Sequence, residues 1–254
     1  YGTFLHGLLE WAATQRTPAR NAGTAKSDRS GFAAALAASN ARRRMLAQRC
    51  APRRLDDWVE PLDVWLTELL DRTWMLGALA LPGGATPSLR LADLDPRRYQ
   101  VELEFWIESR AVDLRRLDQL ITQHTLDGIE RPQLATSYLN GMLKGFIDLV
   151  FEHQGRYYVL DWKSNWLGPD DSVYTLESMR AAIVERRYDL QYVLYLLALH
   201  RQLRARLPDY EYDRHLGGAI YVFLRGGRSA SQGLFMDRPP RALIESLDRL
   251  FAGV

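Results

Sequence analysis

The spacing of apolar positions divides the chain into a front portion that reads as helices and a later portion where strands and helices alternate. Thr3 to Trp11 predicts a helix, with Phe4, Leu5, Leu8 and Leu9 on one side and His6 and Glu10 four apart on another. Asn21 to Ser30 is rich in Gly, Ser and Thr and reads as a loop. Phe32 to Gln48 is Ala-rich and predicts one helix whose end carries Arg42, Arg43 and Arg44, where cations suit the helix dipole. Pro61 fits the first turn of another helix, with Trp65, Leu66, Leu69 and Leu70 as its buried stripe. Leu81 to Pro96 holds two Gly and three Pro and reads mainly as loop.

From Tyr99 to Ile107 the period changes to two: Val101, Leu103 and Phe105 alternate with Gln100, Glu102, Glu104 and Trp106, as in a half-buried strand. A helix bearing Leu114, Leu117, Leu120 and Ile121 follows. Met142 to Phe151 and Tyr157 to Lys163 are β-rich runs joined by a short turn ending in Gly155, which predicts a hairpin. Glu177 to Leu207 reads as one long helix, and Gly217 to Leu224 as a final strand returning parallel through that crossover. The fold class expected is α/β, a small mixed β-sheet flanked by helices behind a helical N-terminal portion.

Composition narrows the class. At 254 residues, 47% apolar and 25% charged, the chain is neither fibrous nor disordered. Its longest uninterrupted apolar run, Tyr192 to Leu199, is eight residues, too short to span a bilayer, and no signal segment opens it, so a cytoplasmic protein without membrane association is expected. The single Cys50 allows neither an internal disulfide nor a thiolate metal cluster. The net charge of +2 conceals an asymmetry: between Arg16 and Arg54 stand ten basic residues and one acid, which is +9, leaving −7 for the remainder. That segment is either a solvated helix face or a surface for a polyanion, for which Arg42, Arg43 and Arg44 are the candidates.

The chemistry gathers around two aspartates. If the hairpin loop is Gln154-Gly155, paired residue numbers sum to 309, as do those of Asp148 and Asp161. Their Cβ atoms would then stand roughly 5 Å apart on one face, where like charges repel unless a cation intervenes or one carboxyl is protonated. Lys163, two residues beyond Asp161, shares that face, and the preceding strand offers Glu102 and Glu104, which share a face with each other. Three carboxylates and a lysine on one sheet surface would suit Mg²⁺ and metal-assisted phosphodiester hydrolysis. The plainer alternative makes the aspartates unrelated hairpin residues, one of them paired to Lys163.

The runs Gly141-Met-Leu-Lys-Gly-Phe-Ile-Asp148-Leu-Val-Phe151 and Gly155-Arg-Tyr-Tyr-Val-Leu-Asp161-Trp-Lys163-Ser-Asn-Trp-Leu-Gly168 closely resemble the C-terminal nuclease domains of the RecB family, the helicase–nuclease subunits of bacterial RecBCD exonucleases (exodeoxyribonuclease V), within the PD-(D/E)XK superfamily. The likeness continues through Arg187-Tyr-Asp-Leu-Gln191-Tyr192 to His200 and from His215 to Gly226; it is fainter at Gly2 to His6 and weak between Trp11 and Leu91. It implies a restriction-endonuclease-like core and a DNase. His6, Asp148, Asp161 and the backbone carbonyl of Trp162 would bind Mg²⁺, with Mn²⁺ or Ca²⁺ as substitutes in binding. Lys163 would be the lysine of the Asp-x-Lys motif, and Gln191 and Tyr195 match the family's Gln-x-x-x-Tyr. Glu102, three before Phe105, is the preferred site glutamate, with Glu104 as the alternative. Ile147 stands where the superfamily has proline before its first aspartate. The resemblance assigns nothing to His124, His153, His200 or His215, and the tryptophans read as packing residues unless one exposed ring stacks on a base.

DNA, RecC-like and RecD-like subunits are the partners so implied, in double-strand-break repair, recombination and degradation of linear DNA. The expected organisation is one nuclease domain over residues 1–254, mainly helical over 1–80, with a catalytic core over 97–226 and a tail and helix over 227–254. The start at Tyr1 suggests a piece of a longer helicase–nuclease chain. Gly23-Thr-Ala-Lys26-Ser27 lacks the glycine that a phosphate-binding loop needs before its lysine, so ATP-driven unwinding is assigned elsewhere. The competing class is a nuclease fold that has lost catalysis and guides DNA or docks subunits; a small-substrate phosphatase is a third and weaker reading.

Overall fold

A computed structural model describes residues 2–16, 30–79 and 86–253. The chain divides into two compact units, Tyr1–Val101 and Glu102–Val254. The first holds helices α1 (Gly2–Ala13), α2 (Gly31–Ala37), α3 (Ser39–Cys50) and α4 (Val59–Asp71), followed by strands β1 (Thr73–Met75) and β2 (Ser88–Arg90), which pair antiparallel through Trp74 and Leu89. Leu8, Leu9, Phe32, Leu46, Leu66, Leu70 and Trp74 are buried in it. The helix expected over Phe32 to Gln48 is broken at Ala38 (φ −97°, ψ 61°). The break has a chemical cause: the buried Arg42 donates to the carbonyls of Ala35 and Leu36 at the end of α2, both at 2.9 Å, and pairs with Asp63 of α4. The segment expected as loop over Leu81 to Pro96 contains β2, while its residues 81–85, like residues 21–29 of the loop expected over Asn21 to Ser30, lie outside the described residues.

The second unit is built on β3 (Tyr99–Asp113), whose first residues belong to the unit before it. After it come α5 (Leu114–His124), β4 (Tyr138–His153), β5 (Arg156–Lys163), α6 (Leu176–Arg186), α7 (Tyr188–Arg206), α8 (Tyr212–His215), β6 (Leu216–Phe223), β7 (Leu234–Asp237) and α9 (Arg241–Ala252). The five strands form one mixed sheet in the order β3-β4-β5-β6-β7, with β5 and β6 parallel and β4/β5 and β6/β7 antiparallel. The α/β class and the parallel return of β6 are therefore as the sequence pattern implies. β6 is not the last strand, however: the short β7, with only four residues, offers too little alternation to stand out.

The hairpin turns on Gln154 (φ 52°) and Gly155 (φ 79°), both left-handed, as a two-residue loop matched to strand twist requires. Its pairs, from His153↔Arg156 to Leu149↔Leu160, have the register inferred from the sequence. Val159, Ile147, Tyr221 and Phe223 join Tyr192, Val193, Leu196 and Leu197 of α7 and Leu243 and Leu247 of α9 in the core.

The helix expected over Glu177 to Leu207 is two helices, parted at Arg187 (φ 54°, ψ 36°). A non-glycine residue is strained there, and the strain is offset by a dense set of bonds. The Arg187 guanidinium meets Asp118 at 2.7 Å, both carboxylate oxygens of Asp189 at 3.1 and 3.2 Å, and the Pro132 carbonyl at 2.6 Å. Asp189, with no exposed surface, also takes Arg131 Nη1 at 2.8 Å. Asp189→Ala leaves two guanidinium groups without their shared anion in a buried place and is expected to cost about 3–5 kcal/mol. A urea titration checks this through a lower midpoint at unchanged m-value; a loss below about 1 kcal/mol would show that the break is held by other contacts.

Candidate active site

Within β5, Val159, Asp161 and Lys163 point to the face covered by α7, while Tyr158, Leu160 and Trp162 point to the other. Asp161 and Lys163 are each only 6% exposed, so two opposite charges are buried side by side. They pair at 2.8 Å (Lys163 Nζ to Asp161 Oδ2). Lys163 Nζ also donates to Gln191 Oε1 at 2.6 Å and lies over the faces of Tyr188 and Tyr221, 3.7 and 4.3 Å from the ring centroids. Two anionic or carbonyl acceptors and two π faces thus surround an ammonium that burial would otherwise penalise.

Gln191 links the parts. Its amide Nε2 donates to Tyr195 Oη at 2.8 Å and, more weakly, to Asp161 Oδ1 at 3.4 Å, while its Oε1 accepts from Tyr221 Oη at 3.0 Å as well as from Lys163. Tyr195 Oη donates to Asp161 Oδ1 at 3.3 Å. The i,i+4 spacing of Gln191 and Tyr195 places both on the side of α7 that meets β5. Burial raises the Tyr195 phenol far above its ordinary range, and the nearby charges of Asp161 and then Asp148 raise it further. Both carboxylates are therefore felt at one point in the structure.

Asp148 reaches the cluster differently from the sequence-based expectation. The β4/β5 ladder is regular up to Leu149↔Leu160, and beyond it the Asp148 carboxylate itself accepts the Trp162 backbone N–H at 2.8 Å. The two aspartates are neighbours across the end of the ladder rather than a ladder pair. Phe105 of β3 closes the cluster edge-on to Tyr195, with centroids 5.7 Å apart. It has room because residue 145 is glycine: a Cβ there would fall 2.4 Å from the Phe105 ring.

Of the two glutamates, Glu104 is exposed and engaged elsewhere, with Lys144 at 3.2 Å and Trp106 Nε1 at 2.7 Å. Glu102 is exposed and has a left-handed backbone, φ 49°. The expected meeting of three carboxylates is not formed: among the described residues no group of three or more His, Cys, Asp or Glu side chains is gathered to hold a metal ion. What the site offers is the Asp148–Asp161 pair with the main chain of Trp162 against it, a hard-oxygen donor set of the size Mg²⁺ uses when most of its shell is water and substrate. His6 lies half-buried on α1, in the other unit. In that unit Arg42 is spent on Asp63, Ala35 and Leu36 and is not presented to a polyanion; Arg43 is exposed but bridges Asp63 at 3.0 Å and Glu60 at 2.9 Å, and Arg44 is exposed.

Residues 1–251 match the PD-(D/E)XK nuclease superfamily. The chain belongs to that superfamily. It is 44% identical over 214 residues to the RecBCD enzyme subunit RecB of Escherichia coli, covering 78% of this chain and 18% of that protein. Identity to the RecB subunit of Haemophilus influenzae is 37% over 194 residues, 75% of this chain and 16% of that protein. The Mycobacterium tuberculosis RecB subunit is 33% identical over 195 residues, 66% of this chain and 18% of that protein. The chain spans less than a fifth of the length of these relatives. Its mixed sheet and helices are consistent with the restriction-endonuclease-like fold of PD-(D/E)XK nucleases, and no helix among the described residues is long and apolar enough to cross a membrane.

Sequence reasoning did not find Tyr188 and Tyr221, the two rings that flank Lys163. Tyr221 is in register with Asp161 across the parallel β5/β6 pair, a relation that no local pattern encodes. Tyr188 lies inside the quoted Arg187-Tyr-Asp-Leu-Gln run, but its place over Lys163 depends on the helix break before it.

Because the Tyr195 value is raised in the folded chain, its contribution to stability is complete below the unfolded tyrosine value of about 10 and is lost as pH rises above it. Tyr195→Phe is expected to make the alkaline decline of the urea midpoint shallower. Equal declines in the two proteins above about pH 10 would contradict the burial of a neutral phenol beside the carboxylates.

Proposed function

We propose that the chain is a Mg²⁺-dependent DNase that hydrolyses phosphodiester bonds as the nuclease portion of a RecBCD-type helicase–nuclease. The observation that carries this reading is the single hydrogen-bonded cluster of Asp161, Lys163, Gln191 and Tyr195 with Asp148 against its end. On this reading Asp148, Asp161 and the Trp162 carbonyl would hold the ion. A bound divalent ion there supplies charge for a phosphoryl oxygen and lowers the pKa of water. Asp161 holds the Lys163 ammonium beside the carboxylates, where it orients the attacking water and offsets developing negative charge. Gln191 fixes Lys163 through its carbonyl and Tyr195 through its amide, so the lysine and the carboxylate keep one geometry.

The family supports nuclease chemistry; the relatives' description as RecB subunits supports DNA as substrate and RecC-like and RecD-like partners through a longer parent chain, acting in the cytoplasm in break repair, recombination and removal of linear DNA. We treat residues 1–254 as one functional nuclease domain of that parent, although they form two compact units.

The test is cleavage of linear DNA with Mg²⁺ by the parent sequence, Asp161→Ala and Lys163→Ala. Both variants are expected to lose at least about a hundredfold in rate, the scale of losing metal or transition-state charge stabilisation. Equal activity in all three would place the chemistry elsewhere. For the basic segment, Arg43→Ala with Arg44→Ala is expected to weaken DNA binding and to flatten its dependence on salt, because fewer counterions are released. An unchanged salt slope would return both residues to the solvated surface.

A further inference from the structure

The polypeptide leaving the site after Lys163 is unusually well fixed for a loop. Tyr174, itself buried, donates its hydroxyl to the Asn165 carbonyl at 2.9 Å and accepts the Leu167 N–H at 3.3 Å. Asn165 Oδ1 accepts from Tyr188 Oη at 3.3 Å, and the Tyr188 ring is one of the two that cover Lys163. Arg225 Nε donates to the Ser164 carbonyl at 3.2 Å, and the Leu224 N–H to that of Lys163 at 2.9 Å. The main chain is thus held on both sides of residue 166, yet the side chain there, Trp166, is 67% exposed.

An indole at that exposure forgoes the burial that makes tryptophan useful in a core. Its position matters: three residues from Lys163, it lies within about 11 Å of it along even a fully extended chain. Arg225 is exposed on the adjoining loop and bonds Ser164 through Nε. The nearest acidic side chain in sequence, Asp170, is turned onto the backbone and hydroxyl of Ser172.

Taking the nuclease reading as its basis, we infer that Trp166 is a base-stacking platform for the DNA strand at the active site, with Arg225 meeting a neighbouring phosphate. An exposed aromatic ring on a loop fixed by hydrogen bonds, with a cation tied to the same loop two residues away, is suited to hold single-stranded nucleic acid without reading its sequence. A paired base inside a duplex has both faces covered by its neighbours. Trp166 therefore stacks on an unpaired or terminal base next to the scissile phosphate.

The test compares the parent sequence, Trp166→Ala and Trp166→Phe on a single-stranded oligonucleotide and on the same oligonucleotide carrying a run of abasic sites, with Mg²⁺ present. Trp166→Ala is expected to raise KM on the normal strand by about tenfold or more, the scale of losing one stacked base, with kcat kept and with Trp166→Phe restoring most of the affinity. On the abasic strand, the parent and Trp166→Ala are expected to have equal KM. An unchanged KM on the normal strand would overturn the proposal and leave the ring for a protein contact. So would equal losses on both strands, which mark a structural effect. Fluorescence anisotropy of the two oligonucleotides with metal-free protein separates this inference from the nuclease reading. If Asp161→Ala cleaves like the parent while the Trp166→Ala binding defect remains confined to the normal strand, the platform stands and the assigned chemistry falls. Absence of that defect in binding overturns the platform whatever cleavage shows.

Discussion

Burying a lysine ammonium against an aspartate is costly unless every partner is in place, and the Lys163–Asp161 pair sets conditions that much of the second unit meets. One partner, Gln191, has to arrive from α7 with its carbonyl toward Lys163 and its amide toward Tyr195 and Asp161. That requires α7 to begin where Tyr188 can cover the ammonium. The chain achieves this by breaking the helix at Arg187 and holding the break with Asp118, Asp189 and Arg131. A second charged network, which includes the residues on either side of Tyr188, thereby helps set how α7 approaches the first.

The same constraint explains why the site is rich in tyrosine. Tyr188 and Tyr221 present π faces to the lysine, and Tyr221 spends its hydroxyl on Gln191 and on the Tyr188 carbonyl at 2.8 Å. Tyr195 donates to the carboxylate and, because burial raises its phenol, stays a neutral donor. Each ring contributes apolar area to the core with one polar end aimed at the charges, so the cluster is satisfied with little water. Asp148 is the part left comparatively open, being less buried than Asp161.

Much of this was legible in the sequence, for identifiable reasons. A turn of Gln154-Gly155 fixes the register of β4 and β5, and alternation fixes their faces, so Asp161 and Lys163 could be placed together from residues alone. The helix breaks at Ala38 and Arg187 were not legible: neither Gly nor Pro marks them, and two of the side chains that stabilise them, Asp63 and Asp118, are distant in sequence. Asp148 was placed one step too simply, because a strand pattern does not show where a ladder gives way to a side-chain bond. Strand alternation put Glu102 and Glu104 on a shared face but gave no warning that Lys144 and Trp106 take Glu104. The run of arginines misled in the opposite way, since a buried Arg42 and a surface Arg44 look alike until Asp63 is seen beside the former.

Parallel pairing of β5 with β6 brings these strands together with a functional consequence. Lys163 ends β5 and Phe223 ends β6, in register, so both strands release their loops at the same edge. In open α/β sheets, ligands gather at such carboxyl ends because loops there can vary while the strands stay fixed. Here the two loops are tied to one another by the Leu224–Lys163 and Arg225–Ser164 bonds, which extend the rigidity of the sheet past its last residues. Displacement of either loop would be transmitted to Lys163 through backbone, and through Asn165 and Tyr188 to the ring that covers it. The groups that would meet a strand of DNA and the groups that would act on it thus stand on loops joined by hydrogen bonds.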